Sequence, residues 1–224
     1  MRAIFLDRDG VICHNRPDHV KSWSEFAFLT RAQAGLARLA VLDMPIIVIT
    51  NQAAINRGLV SAGTVNEIHH RMVASVEAAG GRIDHVYYCP HRPDERCNCR
   101  KPQPGLLKRA ATELGIQLEG SYIIGDAWSD IQAGLKVGCE PFLVLTGRGL
   151  HQVPQALREG AGRFRVVLDL PEAVTAILQA EGYTAQQMAW SRLGSAKEQP
   201  TARPRSGSVP FCSLPKRTRV ERSG

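Results

Sequence analysis

Short apolar runs alternate with longer amphipathic stretches along this chain. The runs near residues 2–7, 44–50, 83–88, 121–125, 141–145 and 165–168 are rich in Ile, Val, Phe or Tyr. That is the pattern of strands buried in a parallel sheet. Helical spacing of apolar positions predicts helices near 31–42, 61–79, 104–114, 128–137 and 171–181. Ser61 is placed to cap the second of these and Gly80-Gly81 to stop it, while Pro171-Glu172 suits a first turn. Strands alternating with helices predict an α/β fold, a Rossmann-like parallel sheet with helices on both faces. No internal repeat is present. From residue 185 Ser, Arg, Pro and Gly dominate, and Trp190, Phe211 and Leu214 stand isolated. The expectation is one domain over 1–184 and a disordered basic tail over 185–224.

Composition refines this picture in two places. At 44% hydrophobic residues, a chain of 224 can bury a sizeable core. No stretch approaches the roughly 18–20 apolar residues of a membrane helix. The N-terminus reads as a strand rather than a signal peptide, so a cytoplasmic protein without membrane partners is expected. Six cysteines there are expected to be metal ligands or spare thiols rather than disulfides. The net charge of +7 is concentrated: the tail holds eight basic residues against two acidic ones. The body is nearly neutral and gives no compositional reason to bind nucleic acid; the tail leaves that open.

Four short motifs, each at a strand end or a helix start, carry candidate chemistry. Asp7-Arg8-Asp9-Gly10 follows the first apolar run. Ligands of open α/β sheets bind outside the carboxyl ends of strands, where two close carboxylates suit a divalent cation. Thr50-Asn51-Gln52 ends the second run, with a hydroxyl and backbone N–H groups suited to phosphate oxygens. Lys101, in Arg100-Lys101-Pro102, offers a compact positive charge for a developing negative one. Gly125-Asp126 ends the fourth run, with Asp130 one helical turn on. Taken singly, each has an ordinary reading: an Asp-Gly turn, strand-to-loop punctuation, a solvated lysine, an acidic residue at a helix dipole.

A fifth motif is metal-like on spacing alone. Cys89-Pro90-His91 and Cys97-Asn98-Cys99 form C-x-H-x5-C-x-C. Three thiolates and one imidazole match a closed structural zinc site, which would pin the loop 89–99. Cys13, Cys139 and Cys212 have no evident partners.

The ordered set Asp7-x-Asp9-Gly10, Thr50-Asn51, Lys101 and Gly125-Asp126-x-x-x-Asp130 resembles the haloacid-dehalogenase-like phosphohydrolase superfamily, over residues 4–130. The resemblance implies a two-step phosphoryl transfer. Asp7 would attack phosphorus, and Asp9 would serve as acid and then base. Mg2+ would be held by Asp7, the Asp9 backbone carbonyl and Asp126, with Asp130 in support. Thr50 and Lys101 would offset the phosphate charge. The Cys-Pro-His…Cys-x-Cys-Arg-Lys-Pro text is similar to one branch, the D,D-heptose 1,7-bisphosphate and histidinol-phosphate phosphatases. Asn56-Arg57-Gly58, Pro104-Gly105 and Thr146-Gly147-Arg148-Gly149 favour the first, with hydrolysis at the C7 phosphate. Ala53 and Trp128 depart from the usual pattern. Substrate contacts are then expected from Asn15, Asp18, Asn51, Gln52 and above all Arg100. Arg57, His14 and His19 are equally readable as surface residues. The inserts after Gly10 and at the zinc loop are too short for a cap domain, so an open crevice in a monomer is expected. Competing readings are a histidinol-phosphate phosphatase, a nucleic-acid 3′-phosphatase that uses the tail, and a non-catalytic binding protein.

Overall fold

The computed structural model describes residues 1–160, 162–184 and 187. Six strands form one wholly parallel sheet: β1 (Ile4–Leu6), β2 (Ile46–Asn51), β3 (His85–Cys89), β4 (Tyr122–Gly125), β5 (Glu140–Val144) and β6 (Arg165–Val167). Their order across the sheet is β3-β2-β1-β4-β5-β6. The chain winds outward to one side from β1, then restarts at β4 on its other flank. The order therefore reverses between β1 and β4, the switch point at which open α/β sheets bind ligands. Ile4 lies opposite both Ile46 and Tyr122, which brings the ends of β1, β2 and β4 to one level.

Among the described residues five helices connect the strands, α1 (Ala32–Leu39), α2 (Ala62–Ala78), α3 (Gly105–Leu114), α4 (Trp128–Leu135) and α5 (Gly149–Gly160), and α6 (Leu170–Ala180) follows β6. Side chains of a strand alternate between the faces of its sheet. Ile4 and Leu6 accordingly join Ile46, Val48 and Ile124 in one core beneath Leu36, Ile68, Met72 and Ile177. Phe5 joins Ile47, Ile49 and Ile123 in the opposite core with Leu106, Leu107 and Ala110. Helices thus cover both faces, as the alternating pattern predicts. Among the described residues, only loops and 3-10 turns at Trp23–Glu25 and Pro93–Glu95 lie between β1 and α1 and between β3 and α3.

Ser61 caps α2, accepting from the Thr64 N–H at 3.0 Å, and Gly80 follows the helix at φ +78°. The sequence reading omits α5 entirely. That helix contains Pro154, and its buried positions are Gly149, Ala156 and Gly160. Leu150, Val153 and Leu157 stand at helical spacing, but Pro154 among them reads in the sequence as a helix breaker. Trp128, a departure from the family pattern, belongs to a small core with Ile131, Leu143 and Ala156; its indole donates to Glu159 of α5 at 2.5 Å. The predicted tail lies outside the described residues, apart from Gln187. No helix among them is long and apolar enough to cross a membrane.

Candidate active site

The carboxyl ends of β1, β2 and β4 open into a cavity of about 710 Å3. Asp7, Asp9, Asn15, Thr50, Asn51, Gln52, Arg100, Lys101 and Asp130 all line it. Residues more than 120 positions apart in the sequence meet there because parallel strands all end on the same side of the sheet.

Lys101 sits at its base. Its ammonium donates to the Ile49 carbonyl at 2.7 Å and forms ion pairs with Asp7 Oδ1 at 3.0 Å and Asp130 Oδ1 at 2.6 Å. Burial works against its charge, but Asp130 and Asp7 overcome that and hold the ammonium above its ordinary range. Asn51 grips the Lys101 backbone from both sides, accepting from its N–H at 3.1 Å and donating to its carbonyl at 3.2 Å. Asn51 therefore has a structural task besides any contact with substrate.

Asp7 is buried, and burial pushes its carboxyl up to about 6, with Lys101 opposing and the charges of Asp130 and Asp9 adding. One oxygen each from Asp7, Asp126 and Asp130 lies within a 4.8 Å cluster. Three hard carboxylate oxygens at that separation fit a divalent cation such as Mg2+. The Asp9 carboxylate is outside this cluster, compatible with a contribution from its backbone alone. Burial also raises Asp126, as does the charge of Asp7, while Arg148 opposes. Arg148 lies along the Asp126 carboxylate: its backbone N–H reaches Oδ2 at 2.8 Å and its Nη2 reaches Oδ1 at 3.1 Å. The approach needs glycines. Gly10 has φ +86°, and a Cβ there would fall 2.1 Å from Asp126 Oδ2; at Gly147, φ +59°, it would fall 2.3 Å away.

Asp9 is held from behind. Arg8 donates to both its oxygens, at 3.2 and 3.0 Å, and Gln52 Nε2 donates to Oδ2 at 2.9 Å. Burial would raise the carboxyl, but Arg8, Gln52 and Cys13 together hold it below its ordinary range. Gln52 Nε2 also donates to the Thr50 hydroxyl at 2.9 Å. Gln52 thus ties the acidic pair to the end of β2, a role its expected substrate contact did not suggest.

The other expected substrate contacts divide. Asn15 faces the metal-like cluster, with its Nδ2 at 3.4 Å from Asp126 Oδ2. Arg100 lines the cavity and donates to the His91 carbonyl at 3.1 Å, which fastens it to the zinc-like loop. Asp18 stands at the rim, between the cavity-lining Pro17 and His19, and its exposed carboxylate pairs with Lys21 at 2.6 Å and Arg16 at 3.1 Å. Arg16, His19, Arg57 and Arg148 also line the cavity.

The second cluster matches its spacing. Cys89, Cys97 and Cys99 sulfurs and His91 Nδ1 lie 3.2–3.5 Å apart along five of the six edges of a tetrahedron. Its centre lies about 2.1 Å from each corner, within a few tenths of an ångström of zinc–sulfur and zinc–nitrogen bonds. The donor set is closed, with His91, Cys89 and Cys99 buried, so it can hold zinc as a structural ion.

A carboxylate cluster, a fixed lysine and a strand-end hydroxyl at the switch point of a parallel sheet define a site for metal-assisted phosphoryl transfer. A HAD-hydrolase-like family model matches residues 98–173. A D-glycero-β-D-manno-heptose-1,7-bisphosphate 7-phosphatase of Bordetella bronchiseptica is 38% identical over 180 residues, covering 80% of this chain and 99% of the relative. The Pseudomonas putida protein of the same name is 38% identical over 71% of this chain and 91% of its own length. The solved structure of the Bordetella D,D-heptose 1,7-bisphosphate phosphatase, complexed with magnesium and phosphate, superposes with a TM-score of 0.75 over 80% of this chain and 99% of that one. The chain belongs to the haloacid-dehalogenase-like hydrolases, in the branch of the D,D-heptose 1,7-bisphosphate phosphatases.

Proposed function

We propose that residues 1–184 form a Mg2+-dependent phosphatase that removes the C7 phosphate of D-glycero-D-manno-heptose 1,7-bisphosphate. The observation that carries this reading is the end-to-end match to a magnesium- and phosphate-bound relative, joined to the Asp7–Lys101–Asp126 geometry. The reaction would run in the cytoplasm, in a monomer.

The residues divide the work. Asp7 Oδ1 accepts from Lys101 and from the Arg8 N–H at 2.7 Å, leaving Oδ2 to attack phosphorus. Arg8 and Gln52 favour the ionised form of Asp9, so Asp9 first takes up a proton, from solvent or from the substrate's phosphate; it then gives that proton to the departing sugar oxygen, and an aspartyl-phosphate remains on Asp7. Asp9 then takes a proton from water, which attacks that phosphoryl group and releases phosphate. Lys101, immobilised by Asp130 and Ile49, offsets the charge of both steps, and the Thr50 hydroxyl offers a further donor. Mg2+, held by Asp7 and Asp126 with Asp130 adjacent, would screen the repulsion between an anionic nucleophile and an anionic phosphate. Arg100 supplies a rigid fork of donors for the part of the substrate that is not cleaved.

Phosphate release across the two heptose bisphosphate anomers, histidinol phosphate and a 3′-phosphorylated oligonucleotide tests the assignment. Preference for a heptose bisphosphate is expected. Preference for the oligonucleotide, with steep salt dependence, would overturn it.

A further inference from the structure

Arg8 stands between the two motif aspartates, yet its side chain is only 1% exposed. A buried guanidinium must place its donors. Two N–H groups hold the Asp9 carboxylate, and Nη2 also reaches Gln52 Oε1 at 3.0 Å. On the far side, Nη1 meets His69 Nε2 at 3.0 Å. A guanidinium can only donate, so His69 Nε2 accepts and its proton sits on Nδ1.

His69 does not line the cavity. It lies fully buried on the inner face of α2, beside Val65, Ile68, Met72 and Val76, with the Tyr88 ring 5.5 Å away. Its Nδ1 has no hydrogen-bond partner among the described residues. An unpaired buried donor costs roughly 1–3 kcal/mol, and a leucine or methionine would fill the place without that cost. What the imidazole supplies is an acceptor for Arg8.

We propose that His69 is a positioning residue for Asp9, acting through Arg8. The inference rests on Asp9 as the acid and base of the proposed reaction. The Asp9 carboxylate already accepts from Arg8 and Gln52, with the Cys13 thiol 3.6 Å from Oδ1. Its direction toward the leaving oxygen is therefore set by the guanidinium fork. Without an acceptor at position 69, Nη1 turns to find one, and the fork turns with it.

The test compares esters that differ in their need for a proton. The leaving oxygen of a sugar phosphate needs one from Asp9; that of p-nitrophenyl phosphate does not. The quantity is kcat/KM, which reports the steps up to formation of the aspartyl-phosphate. His69→Leu should lower kcat/KM for the best sugar phosphate at least about tenfold more than for p-nitrophenyl phosphate, a fraction of the full value of general acid catalysis. His69→Gln, whose amide oxygen can accept from Nη1, should recover most of the difference. An equal fall for both esters, or no change, overturns the proposal; turnover of the aryl ester reports that the variant is folded. A wild-type enzyme that prefers some other sugar phosphate removes the heptose assignment but leaves this comparison intact.

Discussion

Two clusters of metal-like donors lie on consecutive parts of this fold and are built in opposite ways. The cysteine–histidine cluster is local: four ligands within eleven residues, closing on themselves in a single loop. The carboxylate cluster is global: Asp7 comes from the end of β1 and Asp126 from the end of β4, 119 positions later, and only the sheet brings them together. The local cluster is complete in itself, with four ligands and no position for substrate. The global one is open, faces a cavity, and carries buried carboxylates near one another at a cost in stability. A site that repels itself in this way points to work done on a ligand, whereas a closed site points to holding a loop in place. The two meet at Arg100-Lys101, where the zinc-like loop ends and the crevice begins.

The largest expected effect strikes the global cluster. Asp7→Asn removes the oxygen proposed to attack while keeping the shape, so turnover should fall by about four orders of magnitude or more, as for other lost nucleophiles. Because Asp7 is a buried carboxylate beside two others, the melting temperature should stay level or rise. Steady-state kinetics together with thermal unfolding check this. Wild-type-like turnover would remove Asp7 as nucleophile, and a collapse in stability would contradict the division between a working site and a holding site.

A smaller loss is expected from the local cluster. Stripping zinc with a chelator, then restoring Mg2+ in excess, should loosen residues 89–99 and release the Arg100 anchor on the His91 carbonyl. Activity should fall about ten- to a hundredfold, the range typical of disturbed supports around a site, and zinc should restore it. Metal analysis paired with activity decides the matter: full activity in zinc-free protein would show that the loop is not needed to place Lys101.

These two clusters were not equally visible in the sequence. Spacing within one loop is written directly in the chain, so the zinc-like motif needed no fold to be seen. The carboxylate set was legible because each member ends a contiguous apolar run, and buried parallel strands leave such runs. What escaped was whatever depends on a partner distant in sequence and shows no pattern. Arg8 reads as a solvated charge until His69 and Gln52, 61 and 44 residues away, are seen around it. Arg148 is one basic residue in a Gly-rich stretch until its guanidinium is found on Asp126. Asp18 likewise has local partners that its motif does not announce, the side chains of Arg16 and Lys21. Helix α5 escaped for a local reason: Pro154 interrupts the apolar spacing of Leu150, Val153 and Leu157.

The smallest predicted effect lies where the two regions are tied. Asn56, in the loop after β2, donates to both oxygens of Glu95 at 2.9 and 3.1 Å, and Glu95 also accepts from the Arg92 N–H at 2.6 Å. The Arg92 N–H holds the Glu95 carboxyl below its ordinary 4.5, with Asn56 and the Arg92 charge helping against a small burial cost. A lowered folded value means that the tie is fully present above the ordinary value and is lost as pH falls through the lowered one. It is therefore intact at neutral pH, and only acid opens it. Glu95→Ala should raise KM a few-fold at neutral pH and leave kcat nearly unchanged, because the link orders the loop that carries Arg100 without touching the reacting groups. Hydrogen exchange should increase in residues 89–99 and not at the ends of β1 and β4. A fall in kcat instead would mean that the local cluster reaches into the chemistry itself, and the separation between a site that holds and a site that works would have to be redrawn at Lys101.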